Sequence, residues 1–343
     1  MPIRSHYFFL YLLVFLVNQS LFATEKMIFA IDLIRHGDRT PIQTLDTLPY
    51  PWKEDLGQLT SLGMQQHEEL GKKLRKRYVE QEHLLPALYE SGKMYVRSTD
   101  VDRTLMSAQT FLLGLYPIGT GPSPSGYQPI PIHSQPKEND VLIPNKYDDE
   151  KFSILLEQYV YSSQKWQAME AQSKNKWEKW SKLTARKMTS LNDVIGLGSI
   201  LNVYQLYHVP FSSNLTSEDI EEIIAIFKWG MAAKYEPIEI GHGLGYGQLK
   251  LICDYLMAAS QKQQELKYVL LSEHDTSLLS LMSALGAPLN APPPYASQLN
   301  FALYENEKHE QKIVVRFNDE LVSIPGCDQK GCTLEQFSRL LMT

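Results

Sequence analysis

The sequence predicts a layered α/β core on a central, mostly parallel sheet, interrupted by a helical insertion. Three observations carry that expectation. Short apolar runs ending at polar loops alternate with amphipathic stretches over residues 27–115 and again over 267–285, the strand–helix alternation of layered α/β folds. Residues 148–235 change character, with helical periodicity and few β-rich runs. Finally, 343 residues that are 43% apolar and 21% charged suit one large domain or two ordinary ones and exclude a disordered or fibrous chain. The expected organisation is a targeting segment at 1–23, a core from 24–147 and 236–343, and an insertion over 148–235.

The elements follow in order. Arg4 and His6 precede an unbroken apolar run from Tyr7 to Val17. As a helix it would reach only ~16 Å, about half of a bilayer's hydrocarbon core. Asn18-Gln19-Ser20 and Leu21-Phe22-Ala23 follow, completing the order of a secretory signal peptide with cleavage expected after Ala23. No later run approaches spanning length, so the mature chain is expected to be secreted or periplasmic, with no membrane partner. Met27 to Ile34 reads as a strand covered on both faces. From Thr60 to Glu82 the pattern is helical, with Leu62, Leu70, Leu74 and Tyr78 on one stripe and Glu68–Lys72 and Glu69–Lys73 pairs outside. Lys93–Arg97 is a strand and Thr104–Leu115 a helix. Residues 117–147, rich in Pro, Gly and Ser, form a long connection. In the insertion, Trp166, Trp177 and Trp180 cluster, and Thr216 and Asp219 have capping-box spacing. The GHGLGYG segment (241–247) reads as a turn before a helix. Lys267–Leu271 is a strand, Thr276–Leu285 a helix, and KIVVRFNDELVSI a hairpin around Asn318-Asp319.

With 33 basic and 39 acidic residues the net charge is −6, which lacks the footprint of a nucleic-acid binder. Cys327 and Cys332 lie in a turn-rich stretch where export makes a local disulfide the expected state. Cys253 shares a helical face with Leu249 and Leu256 and is expected to be buried and inert.

Chemistry concentrates at two strand exits, Arg35-His36-Gly37-Asp38-Arg39-Thr40-Pro41 and Glu273-His274-Asp275-Thr276. Ligands of α/β sheets bind beyond the carboxyl ends of parallel strands. Should the two strands be neighbours, two histidines, two arginines and an acid meet in one crevice. Arg103 joins them from a third segment, at the start of a helix. Guanidinium forks and helix N-termini suit phosphate oxygens. Arginines gathered around one histidine repel unless an anion separates them, and they keep its imidazole neutral and nucleophilic. Asp275 is placed to protonate a leaving alcohol. The chain contains no HExxH, CxxC, G-x-S-x-G or Walker A sequence, so no metal and no other cofactor is expected.

RHGDRTP, GQLTSLGMQQHEELGKKLRKRY, YVRSTDVDRTLMSAQ, QPIPIH, EHDTSLLSLMSALG and the terminal CDQKGCTLEQF together resemble the histidine acid phosphatases. The resemblance is nearest to the prostatic/lysosomal branch and its secreted bacterial relatives. It implies a phosphoglycerate-mutase-like core and hydrolysis of phosphomonoesters through a phosphohistidine. His36 would be the nucleophile and Asp275 the proton donor, with Arg35, Arg39, Arg103 and His274 holding the phosphoryl oxygens. Asp38 matches the motif, and an orienting role or none is open for it. The Cys327–Cys332 bridge carries over from these relatives as well. Expected substrates are small phosphomonoesters, phosphotyrosine and nucleotides among them, and a homodimer is among the expected assemblies. The alternatives are a phytase-like inositol phosphate hydrolase, against which Thr276-Ser277 and the acidic charge balance count, and a catalytically silent phosphoester-binding protein.

Overall fold

The computed structural model describes residues 25–144, 149–211, 215–328 and 330–342; the expected signal peptide lies outside them. Six strands form one sheet in the order β2-β3-β1-β4-β5-β6. Strands β1 (Lys26–Arg35), β2 (Met94–Ser98) and β3 (Tyr268–Glu273) are parallel, with β3 in the middle. Strands β4 (Gln298–Glu305), β5 (Gln311–Phe317) and β6 (Glu320–Leu321) extend the sheet antiparallel beyond β1. Asn318 and Asp319 take φ values of 48° and 72° at the β5–β6 turn, the left-handed pair that a two-residue hairpin requires.

The apolar character of β1 follows from cover on both faces. Phe29, Ile31 and Leu33 pack toward helices α8 (Ile238–Ser260) and α9 (Asp275–Ala284). Ala30 and Ile34 pack toward α1 (Ser61–Arg75) and α2 (Asp102–Leu115). Met27 lies with the second group because the register shifts between Met27 and Phe29. In α1 the buried stripe is Gly63, His67, Leu70 and Leu74, continued by Tyr78 in a following π turn. Leu62 is instead 50% exposed. Lys72 takes both Glu68 and Glu69, while Lys73 reaches Asp319.

Helices α3 (Asp149–Leu156), α4 (Gln164–Lys174), α5 (Trp177–Thr184), α6 (Leu191–Leu206) and α7 (Ser217–Ala233) share a separate apolar cluster around Trp166, Trp177 and Trp180. Thr216 and Asp219 form a full capping box at α7. The chain ends with α10 (Leu334–Arg339), beyond the Cys327–Cys332 disulfide. Cys253 is buried on α8, and burial raises its thiol to about 12, so it stays protonated and unreactive.

One expectation about the elements is corrected. GHGLGYG is not a turn; it lies inside α8. A Cβ at Gly241 would sit 2.4 Å from the Ala284 nitrogen, and one at Gly245 would sit 2.5 Å from the Ser280 carbonyl. Spaced four apart, the two share one helix face and let α8 lie directly on α9. Strand β4 was not anticipated in the sequence, although Leu299, Phe301 and Leu303 alternate along it. Among the described residues no helix is long and apolar enough to cross a membrane.

Candidate active site

The parallel strands place three polar exits side by side. Strand β1 ends at Arg35, and the His36 N–H continues the ladder to the Glu273 carbonyl at 2.9 Å. Strand β3 ends at Glu273, His274 caps α9, and Asp275 opens that helix. Arg103 is the second residue of α2, after β2. Two helix N-termini therefore adjoin the same crevice, where their dipoles favour an anion. The loop that carries His36 is seated by a close backbone approach. A Cβ at Gly37 would meet the Gly63 carbonyl at 2.4 Å, and one at Gly63 the Asp38 carbonyl at 2.3 Å.

His36 is buried, and its Nδ1 lies 2.8 Å from the Gly37 carbonyl. A carbonyl only accepts, so Nδ1 carries the hydrogen and Nε2 keeps its lone pair. Burial, followed by the charges of Arg35 and Arg103, holds its imidazole well below the ordinary histidine range. The ring is thus neutral with one nitrogen free.

His274 is held differently. Arg103 Nη2 donates to its Nδ1 at 3.3 Å, so its Nε2–H donates to Thr99 Oγ1 at 3.0 Å. Thr99 is linked at 2.7 Å to Thr104, whose hydroxyl donates to the Val101 carbonyl. Burial, then Arg103, lowers His274 to about 3. Its ring centroid is 5.7 Å from that of His36.

Arg35 Nη2 donates to Asp275 Oδ2 at 2.7 Å and Nη1 to the Pro293 carbonyl, while its guanidinium lies 4.4 Å over the Tyr295 ring. The buried Nε atoms of Arg35, Arg39 and Arg103 all lack a partner. Burial, and then Arg39, lowers Arg103 to about 10. Three crowded guanidiniums with idle donors are what a bound phosphoryl group would satisfy. Burial pushes the Asp275 carboxyl up, but Arg35, Arg39 and His274 outweigh it and hold the acid below its ordinary range.

Asp38 faces away from this crevice. Its Oδ1 accepts from Thr60 Oγ1 at 2.6 Å and from the Tyr207 hydroxyl, at the end of α6. Above the arginines opens a cavity of about 680 Å³, lined from the helical segment by Asn202, Leu206, Phe227, Lys228 and Met231 and from the other side by Pro292–Tyr295.

The structure therefore brings Arg35, His36, Arg39, Arg103, His274 and Asp275 together. It adds Thr99, Tyr207 and Tyr295, which carry no local mark in the sequence. Among the described residues no group of three or more His, Cys, Asp or Glu side chains is placed to hold a metal ion.

A family model described as the histidine phosphatase superfamily (branch 2) matches residues 26–318. Human prostatic acid phosphatase is 32% identical over 365 residues, covering 97% of this chain and 89% of its own. Human lysosomal acid phosphatase is 32% identical over 346 residues, covering 91% and 76%. Among solved structures, the phytase of Klebsiella sp ASR1 superposes with a TM-score of 0.69 at 16% identity, covering 93% of this chain and 95% of its own. Hafnia alvei phytase in complex with tartrate gives 0.68 at 19%, covering 94% and 98%. At those identities the phytases establish a shared fold. The sequence matches establish more: the chain belongs to branch 2 of the histidine phosphatase superfamily.

Proposed function

We propose that the protein is an exported acid phosphatase that hydrolyses small phosphomonoesters through a phosphohistidine on His36. One observation carries this reading: a buried, neutral imidazole with a free Nε2 stands among three arginines whose donors lack partners. Binding alone would need the arginines but not that nitrogen, which counts against a silent phosphoester-binding protein.

In the first step His36 Nε2 attacks phosphorus, the P–O ester bond breaks, and Asp275 gives its proton to the leaving alkoxide. In the second, Asp275 takes a proton from water, whose oxygen attacks phosphorus and releases the histidine. Arg35, Arg39 and Arg103 spread the equatorial charge. His274 would join them only after protonation at Nδ1, the nitrogen that now accepts from Arg103. Asp275 is ionised in the empty site, so an acidic optimum needs a second proton source. A phosphomonoester whose second pKa is about 6 arrives as a monoanion in acid and supplies it. Its charge also occupies the arginines that hold Asp275 ionised.

The cavity favours a substrate with one phosphate. Beyond Arg35 and Arg39, Lys228 is the single cation among its lining residues, which include Ile42, Val203, Leu206, Phe227 and Met231. A polyphosphorylated inositol ring would leave several phosphates without a counter-charge there. The test is to incubate the enzyme with ³²P-labelled substrate in acid, quench in alkali and map the label. A base-stable, acid-labile label on His36 is expected; robust turnover with no such label would exclude the covalent route.

A further inference from the structure

Glu273 ends β3 between the two halves of the site, and the steps above do not use its side chain. That side chain is fully buried, with Gln248 Nε2 of α8 donating to Oε2 at 2.7 Å. Asp140, in the connection before α3, is equally buried. Its Oδ1 takes the Leu142 N–H at 3.0 Å and the guanidinium of Arg97 on β2, which also holds Gln135 Oε1 at 2.9 Å.

The cluster is short of both charge and donors. Asp140 and Arg97 are the two charged groups acting on Glu273 most strongly, while Gln248 of α8 and Ser277 of α9 face it as neutral partners. Arg35 of β1 stands opposite Glu273 in the ladder, but its guanidinium is committed to Asp275 and Pro293. His274 and Asp275, next in the chain, belong to the phosphate crevice. Glu273 Oε1, Asp140 Oδ2 and Gln248 Oε1 are all buried acceptors without a partner. With both acids ionised, one guanidinium would leave a buried net negative charge, which is strongly unfavourable. A single proton neutralises the cluster and turns one idle acceptor into a donor. Burial, and then the charge of Asp140, pushes Glu273 well above the ordinary carboxyl range, which marks it as the acid that keeps the proton.

We propose that Glu273 works as a neutral carboxylic acid beside the buried Arg97–Asp140 ion pair, and that the resulting Arg97–Asp140–Glu273 cluster is the positioning element that fixes the His274–Asp275 exit. Its proton is lost as pH rises, and that loss limits activity and stability on the alkaline side. The link to activity rests on the function proposed above; the link to stability does not.

The experiment compares the full wild-type chain with Glu273→Gln, Asp140→Asn and the double variant. It records Tm and the kcat profile at saturating p-nitrophenyl phosphate between about pH 5 and 8, because kcat/KM would also carry the second ionisation of the free substrate. An acid whose folded pKa is raised contributes stability that is complete below its unfolded value, about 4.3 for Glu, and is lost as pH climbs through the folded value. Asp32, also raised by burial, is common to all four chains and drops out of the comparison. Each single variant leaves Arg97 with one carboxylate and no proton to lose. Both should therefore keep a flatter Tm at alkaline pH, and Glu273→Gln should move the alkaline limb of kcat upward by about half a pH unit or more. The double variant strands Arg97 and should lose more stability than the two single changes combined. A wild-type slope and an unmoved limb in Glu273→Gln would overturn the proposal. So would a Glu273→Gln chain unfolded at about pH 5, because the amide is isosteric with the neutral acid. Absence of phosphatase activity in the wild type would sink the functional reading and leave the Tm comparison to decide this one.

Discussion

His36 and His274 stand 5.7 Å apart, both buried and both neutral, yet the chain holds them in opposite ways. His36 spends one nitrogen on the carbonyl of the next residue and leaves the other free. His274 has both nitrogens occupied, by Arg103 on one side and by the Thr99–Thr104 relay on the other. In the mechanism proposed above, what separates the attacking imidazole from the anchoring one is the number of nitrogens that the fold has already engaged.

That contrast predicts unequal losses. His36→Ala should lower kcat on the order of 10⁴-fold or more while binding inorganic phosphate within a few-fold of wild type by calorimetry. A folded His36→Ala enzyme with near-normal turnover would erase the distinction. Asp275→Asn should cost alkyl phosphates on the order of 10²–10⁴-fold, the usual size of a general-acid contribution. Aryl phosphates, whose leaving groups need less help, should lose distinctly less. Equal losses in kcat/KM for the two substrates would mean that Asp275 positions rather than donates. His274→Ala should reduce kcat/KM on the order of 10²–10³-fold, as expected when a transition-state donor is misplaced, here the Arg103 guanidinium that its Nδ1 holds, and weaken phosphate binding. The label on His36 should still form, more slowly; its complete loss would make the two histidines equivalent. Thr99→Val, which removes the acceptor of the His274 Nε2–H, should cost about 1–1.5 kcal/mol, or about 5–13-fold in kcat/KM. No change there would show that Arg103 alone orients the ring.

The two histidines also differ in how far the sequence exposes them. RHGDRTP and EHDT are contiguous, so their residue types and strand-end placement are visible before folding, and the parallel pairing of β1 with β3 brings them together. The partners that distinguish the two rings are not contiguous. Thr99 lies 175 positions from His274, and Tyr207 is 169 from Asp38. Tyr295 follows a proline run that reads only as a connection. Such contacts depend on topology and leave no periodic trace. GHGLGYG misleads for a related reason: glycine's local preference for turns is overruled by a helix–helix approach that admits nothing larger. Strand β4 carries alternating Leu299, Phe301 and Leu303, but its place in the sheet comes from antiparallel pairing with β1 at positions 26–34, a contact of long sequence separation.

The same glycine face has a practical meaning for anyone engineering the protein. Replacing glycine by alanine inside a helix is a routine route to thermostability, worth about 0.4–1 kcal/mol where the site is open. Helix α8 offers four such positions, and they are not interchangeable. Gly247 has room, since a Cβ there would meet only Val141 at 3.4 Å, an ordinary contact. Gly241 and Gly245 would drive a methyl group into the backbone of α9, the helix whose first residue is Asp275. A stabilisation campaign that treated all four alike would press on the helix that opens with the proposed proton donor, by way of contacts in its later turns.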